Sequence, residues 1–114
     1  MRTTLFSMAL ALSVAASASA VEATIVSYEE GELNFSLKGG GTVTVTGQVD
    51  FKYISAKTGT ESLARATSEP IAVKLTGEET PATILVVPPD GSVTEVEIIL
   101  FVNGEEKARQ TFYY

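Results

Sequence analysis

From residue 21 onward the apolar residues recur at every second position, which is the spacing of a β-strand with one buried face. The clearest example is the segment 42–54. One of its faces is apolar and consists of Val43, Val45, Val49, Phe51 and Tyr53. The other face is polar and consists of Thr42, Thr44, Thr46, Gln48, Asp50 and Lys52. No segment after residue 20 keeps the three-and-four spacing of an amphipathic helix over three turns, so we expect an all-β domain.

The same alternation, interrupted by turn residues, predicts about seven to eight strands. Besides the segment above, the predicted strands are Glu22 to Tyr28, Glu32 to Lys38, Glu61 to Thr67, Ile71 to Leu75, Thr83 to Val87, Thr94 to Val102 and Glu105 to Tyr113. Short strands separated by turns are typical of an antiparallel β-sandwich of immunoglobulin or fibronectin type III style. A small barrel is the second possibility.

Three of these segments carry finer predictions. Glu61 to Thr67 is polar and is predicted to be an edge strand. Thr83 to Val87 is a continuous apolar run and is predicted to be covered on both sides. Gly47 interrupts the apolar face of the long strand, where we expect a bulge or a bend.

The last two strands form a hairpin around Asn103-Gly104, and the loop length decides which residues face the core. A two-residue turn would place two cations, Lys107 and Arg109, opposite core residues, where unpaired charge is costly. A three-residue loop, 102–104, shifts the register by one and pairs Glu97 with Arg109 on the outer surface, so we predict this loop. The predicted core-side partners are Ile98 with Ala108 and Val96 with Gln110.

The first twenty residues are typical of an export signal. Met1-Arg2 provides a short charged start, Leu5 to Ala16 is apolar, and Ala18-Ser19-Ala20 fits the small-x-small cleavage rule. The apolar run is too short for a membrane-spanning helix. We therefore expect residues 1–20 to be a cleaved signal peptide and residues 21–114 to form one domain in the periplasm or outside the cell.

Composition narrows the chemistry of that domain. Without the leader, 7 basic and 14 acidic side chains remain, a net charge of −7, which opposes binding to nucleic acid or to anionic lipid. The chain contains no Cys and no His, which removes the usual zinc and copper ligands and the Ser-His and Cys-His nucleophile pairs. The acidic turn Glu29-Glu30-Gly31-Glu32 lacks the spacing of a calcium loop and is better explained as a solvated turn. We expect no enzyme activity, no cofactor and no bound metal.

Two surfaces are candidates for binding a protein partner. The first is the polar face of the long strand, Thr42, Thr44, Thr46, Gln48, Asp50 and Lys52, because it is long, flat and rich in hydrogen-bonding groups. The second is the pair Ile99 and Phe101, which alternation places on the face opposite Ile98 and Leu100. Apolar side chains flanked by charge suit protein recognition if they are solvated, whereas another element of the fold would otherwise cover them.

The order of several segments resembles a known family. These segments are Val49-Asp50-Phe51-Lys52-Tyr53-Ile54-Ser55, a Gly/Thr-rich loop, Glu69-Pro70-Ile71-Ala72-Val73, Pro88-Pro89-Asp90-Gly91, an apolar strand ending at Asn103-Gly104, and Gln110-Thr111-Phe112. In this order the chain is similar to the curli-system periplasmic family, small exported immunoglobulin-like proteins that keep amyloid fibre subunits soluble. Some members carry a Cys-x-Cys pair where this chain has Val45-Thr46-Gly47, so the resemblance implies an inhibitory role but not a redox role.

The resemblance implies a monomeric inhibitor or chaperone whose partner is an amyloid fibre subunit. A structural subunit of a matrix or pilus that polymerises by strand exchange remains an alternative. A small hydrolase or a carbohydrate-binding module is a further alternative, although sugar-binding sandwiches usually show a planar row of exposed aromatic residues. The four tyrosines here are scattered along the chain: Tyr28, Tyr53, Tyr113 and Tyr114.

Overall fold

The computed structural model describes residues 20–114, so the predicted leader, apart from Ala20, lies outside the described residues. Eight strands make up this part of the chain, in the order β1 (Glu22–Glu29), β2 (Glu32–Lys38), β3 (Gly40–Ser55), β4 (Glu61–Thr67), β5 (Ile71–Thr76), β6 (Thr80–Leu85), β7 (Gly91–Val102) and β8 (Glu105–Tyr113). The predicted strands for β2, β4 and β8 coincide with the observed ones. The others differ by a few residues at their ends.

The strands form two antiparallel sheets, as the alternation predicts. The three-stranded sheet has the order β1-β2-β6. The five-stranded sheet has the order β4-β3-β7-β8, and β5 also pairs with β3. The all-β sandwich is therefore confirmed.

The hydrophobic core lies between the sheets, because each strand turns its apolar positions inward. Its largest fully buried side chains are Phe35, Phe51, Leu33, Leu37, Ile98 and Leu100. The rings of Tyr28 and Phe51 meet across the core with centroids 5.8 Å apart and planes inclined by 59°. This tilted aromatic contact joins β1 of one sheet to β3 of the other.

The long strand β3 shares one of its edges between two strands. Its first half pairs with β5 and its second half with β4, while β7 runs along the other edge. The change from β4 to β5 occurs beside Gly47, which donates its N–H to Ser68 Oγ (2.9 Å) and accepts from the Ser68 N–H (2.8 Å). Gly47 itself pairs in register with Leu100 of β7. The bulge or bend predicted at Gly47 is therefore not in β3. The interruption lies instead beside Gly47, between the end of β4 and the start of β5.

The prediction that residues 83–87 are covered on both sides is wrong. Among the strands of residues 20–114, β6 lies at the edge of its sheet and pairs with β2 alone. Ile84 and Val86 face the core, whereas Leu85 and Val87 are 69% and 79% exposed. An apolar residue on the outward face of a strand is no sign that another layer covers it, because natural surfaces retain many apolar atoms.

The predicted three-residue loop of the last hairpin is also wrong. Val102 pairs with Glu105 around a two-residue turn, in which Asn103 and Gly104 both have positive φ (51° and 83°), as a type I′ turn requires. Lys107 is then an extra residue in β8, so Leu100 faces Ala108, Ile98 faces Gln110 and Val96 faces Phe112. A bulge, rather than a longer loop, sets Ala108 instead of Lys107 opposite Leu100.

Candidate functional site

The two candidate surfaces lie side by side on one face. The register of β3 with β7 sets Thr46 opposite Phe101 and Gln48 opposite Ile99. The polar row of β3 and the apolar pair of β7 therefore share the side of the five-stranded sheet that faces away from the core. We call this side the outer face, meaning Thr42, Thr44, Thr46, Gln48, Asp50 and Lys52 of β3 together with the side chains in register with them on β4, β5, β7 and β8.

Exposure varies along the outer face. Thr42 and Thr44 are exposed, whereas Thr46, Gln48, Asp50 and Lys52 are half-buried. Phe101 is half-buried, and Ile99 is only 5% exposed. Of the two alternatives for Ile99, solvated or covered, the structure supports the covered one, so Ile99 offers no exposed apolar contact.

Ile99 is buried in the middle of its own sheet. Its direct neighbours across the strands are Gln48 of β3 and Arg109 of β8, both of which have long side chains. Long side chains can bury their aliphatic stems against an apolar neighbour while their polar ends stay in water. The surface that a partner would meet around Ile99 is consequently polar and charged.

Two ion pairs border this polar surface. The Arg65 guanidinium of β4 donates to both carboxylate oxygens of Asp50, at 2.6 and 3.2 Å. This hydrogen bond and the adjacent negative charge raise the pKa of Arg65 further above its usual range. Lys52 Nζ lies 3.6 Å from Glu95 Oε1 on the opposite strand. These pairs are exposed, so their value lies more in fixing the pattern of charge than in stability.

A second ionic cluster centres on Arg109. Its guanidinium lies 3.2 Å from Glu97 and 2.9 Å from Glu106. Hydrogen bonding to Glu106 and then to Glu97 raises the pKa of Arg109, and the bond from Arg109 lowers the pKa of Glu106. The predicted ion pair between Glu97 and Arg109 is present on the outer face, although Arg109 stands opposite Ile99 and reaches Glu97 diagonally.

An open depression of about 630 Å³ lies between these two groups of charges. Its charged lining comes from three strands: Asp50, Lys52, Arg65, Glu95 and Glu97. Leu63 of β4 stands at its rim beside Lys52 and is 77% exposed. The depression therefore combines fixed charges of both signs with apolar residues that include Leu63 and Ala64, a mixture that suits contact with a protein surface.

Sequence reasoning named the β3 and β7 members of this surface and placed Arg109 of β8 beside Glu97, but it missed the members on β4. A signal was present for β4, because residues 57–60 read as a turn between two strands. A hairpin through that turn sets Leu63 opposite Lys52 and Arg65 opposite Asp50, as the structure shows. The opposite charges of Asp50 and Arg65 would have supported that register.

A separate junction links the two sheets at the end of the chain. The Tyr28 hydroxyl donates to the Val86 carbonyl, and the Tyr114 hydroxyl donates to the Tyr28 carbonyl (2.5 Å). Burial, with a smaller contribution from Tyr114, raises the pKa of Tyr28 to about 12. Burial and the nearby Glu29 also raise the pKa of Tyr114. The Tyr114 phenol thus donates from the end of the five-stranded sheet to β1, whereas the Tyr28 phenol donates to the residue that follows β6 in its own sheet.

Metal-ligating groups do not converge in the part of the chain that the structure describes. Within residues 20–114 no three Asp or Glu side chains are close enough together to hold an ion, and this includes the acidic turn at 29–32. No helix among the same residues is long and apolar enough to cross a membrane.

Comparison with known proteins adds little to this description. No protein-family model matches the chain, and no curated protein sequence matches it. A solved structure of the alkylpurine DNA glycosylase AlkC of Pseudomonas fluorescens, bound to DNA containing an abasic-site analogue, aligns with 82% of this chain at 13% identity and a TM-score of 0.41. The aligned part spans 30% of that protein. A similarity at this level supports no conclusion about either fold or function.

Proposed function

We propose that this protein is an exported, non-enzymatic binding domain that slows the assembly of a curli-type amyloid subunit in the periplasm. The observation that supports this proposal is the single outer face. It unites the polar row of β3 with Phe101, a charged depression and two ionic clusters. Hydrogen-bonding groups and charges of both signs suit a transient contact with another protein more than a permanent hydrophobic interface.

The mechanism follows from how β-fibres grow. A fibre end offers unpaired backbone groups and adds each new strand in register. On the outer face, by contrast, the backbone of β3 is paired on both sides from Gln48 to Ile54, so that side chains form the contact surface there. A domain docked through this face would cover an early assembly with side chains instead of extending it by strand pairing. Because such contacts are reversible, a small amount of protein would act on many assemblies.

The alternatives are less well supported by the described strands. Polymerisation by strand exchange needs an end strand that detaches or a groove that accepts one. Here β1 pairs with β2 from Glu22 to Glu29, and β8 pairs with β7 from Glu105 to Tyr113. A carbohydrate-binding module would need aromatic rings side by side on one face.

A fibre-formation assay tests the proposal. Purified curli-type subunit is followed by amyloid-dye fluorescence with and without this protein at low molar ratio. We expect the wild-type protein to lengthen the lag phase. An unchanged lag would remove the proposed activity.

Two matched variants test the face. Thr44→Arg places a bulky cation at an exposed position of the outer face, and Thr24→Arg makes the same change at an exposed position of β1 in the other sheet. We expect Thr44→Arg to shorten the lag towards that of the subunit alone, and Thr24→Arg to behave as wild type. Equal activity of the two variants would show that binding occurs elsewhere.

A further inference from the structure

The sheet edges of this molecule are protected unequally. Strands β1 and β8 each contain a bulge, at Val26 and Lys107, and they also contact each other across the sandwich. Strand β6 contains Pro81, and β5 begins just after Pro70 and contacts β6. Bulges, prolines and covering elements are the usual means of preventing edge-to-edge association. Strand β4 has neither a bulge nor a proline between Glu61 and Thr67.

The unpaired backbone groups of β4 can be assigned from the hydrogen bonds of β3. The N–H and C=O of Gly47 point towards Ser68, and the Ser55 N–H points towards the Thr60 carbonyl. Odd-numbered residues of β3 therefore bond to the β4 side, where their partners are Ala66, Ala64 and Ser62. The groups that point away from the sheet belong to the alternate residues of β4, which are Glu61, Leu63, Arg65 and Thr67.

We propose that this edge pairs with β4 of a second copy of the chain, antiparallel, about a two-fold axis at Leu63. In that register the two Leu63 side chains meet on the outer face, and Glu61 of each copy stands opposite Arg65 of the other. Two ion pairs then flank an apolar contact on either side of the axis. The five-stranded sheets of the two copies then form one continuous sheet.

The neighbouring registers are less complementary. An axis at Arg65 sets two guanidinium groups directly opposite each other, which is repulsive. An axis at Ala64 sets Leu63 opposite Arg65 and Glu61 opposite Thr67, so that no opposite charges meet. Only the axis at Leu63 brings both acidic side chains opposite cations.

The side chains of β4 permit this approach. On the inner side the paired residues would be Ser62 and Ala64, which are too small to obstruct a second strand. Leu63 is 77% exposed and would lose contact with water. Arg65 is held by its own Asp50 while its side chain remains 65% exposed, so the guanidinium is positioned for a second carboxylate. The dimer departs from the monomer expected from the sequence, and it stands independently of the proposed function.

Cross-linking gives a direct test, because the chain contains no cysteine. At a hydrogen-bonded antiparallel pair the Cα atoms lie about 5.5 Å apart, which a disulfide can span. We expect Leu63→Cys to form a covalent dimer roughly tenfold faster under mild oxidation than Leu85→Cys, since pairing raises the local concentration of the thiols. Leu85 is a matched control, being 69% exposed on the edge strand of the other sheet. Equal rates for the two variants would overturn the proposal.

Charge reversal tests the register in the full-length protein. Glu61→Arg and Arg65→Glu should each self-associate less than wild type in sedimentation velocity runs from micromolar to millimolar concentration, because like charges then face each other. An equimolar mixture of the two variants restores both opposite-charge pairs and should form a heterodimer. A wild-type chain that stays monomeric throughout, or a mixture that fails to associate, would show that β4 does not pair in this way.

Discussion

Leu33 of β2 occupies the space that a side chain on Gly47 of β3 would need. A Cβ atom built on Gly47 would lie 2.9 Å from Leu33 Cδ2, with Ile84 and Leu100 also within 4 Å. Leu33 is fully buried, so it has little freedom to withdraw. The close approach of the two sheets at this point therefore depends on glycine.

We expect Gly47→Ala to destabilise the fold by about 1–3 kcal/mol, because the added methyl group overpacks the core. Gly40→Ala is the control, since no atom lies within 4 Å of its Cβ position and its φ is not positive. Chemical denaturation of both variants measures the difference. Equal stability of the two would show that the sheets have room to separate at Gly47.

Ser68 provides a second prediction, at the junction of β4 and β5. Its hydroxyl accepts the Gly47 N–H at 2.9 Å and its residue is only 9% exposed. Ser68→Ala leaves that buried N–H without this acceptor, which costs about 1–3 kcal/mol. Ser92→Ala, at an exposed position of β7, should change the free energy of unfolding by less than about 0.5 kcal/mol.

The variant Ile99→Ala tests whether Ile99 contributes to core packing or to partner binding. Because its side chain is almost fully buried, Ile99→Ala should lower the free energy of unfolding by about 2 kcal/mol or more. Leu63→Ala, at the rim of the depression on the outer face, should change the free energy of unfolding by no more than about 0.5 kcal/mol. A loss of partner binding in Ile99→Ala without a loss of stability would restore Ile99 as a contact residue.

The raised pKa of Tyr28 predicts that the protein loses stability at alkaline pH. The folded state raises the pKa of its phenol from 10.0 to about 12, so folding favours the protonated form. Its contribution is fully present below pH 10 and is lost as the pH rises from 10 to about 12. In the folded protein the Tyr28 phenol should accordingly ionise at higher pH than in the unfolded chain, measured as the part of the absorbance change near 295 nm that is missing in Tyr28→Phe.

Tyr28→Phe is the variant for this experiment. Near neutral pH it should be less stable than wild type by about 1 kcal/mol, since the hydrogen bond to the Val86 carbonyl is lost. Above pH 10 the difference should shrink, because only the wild-type residue can ionise. A difference that stays constant from pH 8 to 12 would contradict the assignment.

The strands and their inward faces could be predicted from the sequence because they follow from local alternation. The segment 42–54 identifies its own buried face, since Val43, Val45 and Phe51 alternate with polar residues. The last hairpin shows where local reasoning fails. The need to keep Lys107 from standing opposite Leu100 was recognised, but a bulge and a longer loop both satisfy it, and the sequence does not choose between them.

The candidate surface was predictable in part for the same reason. The polar row of β3 belongs to one strand and could be named without knowing its neighbours. The contributions of Arg65, Glu95 and Arg109 depend on which strands pair and in which register, and pairing joins residues far apart in the chain. The burial of Ile99 likewise depends on the side chains that two other strands bring beside it.

By itself, the sequence determined that the chain contains no cysteine or histidine and that its strands have one apolar and one polar face. The faces could be predicted because side-chain direction along a strand is a local property. The edge position of β4 and the pair of Glu97 with Arg109 could also be predicted, whereas only the tertiary structure decided which edge lacks protection and which other charges meet on the outer face. Those features arise from long-range backbone pairing, whose free energy depends on all neighbouring strands together rather than on any single segment.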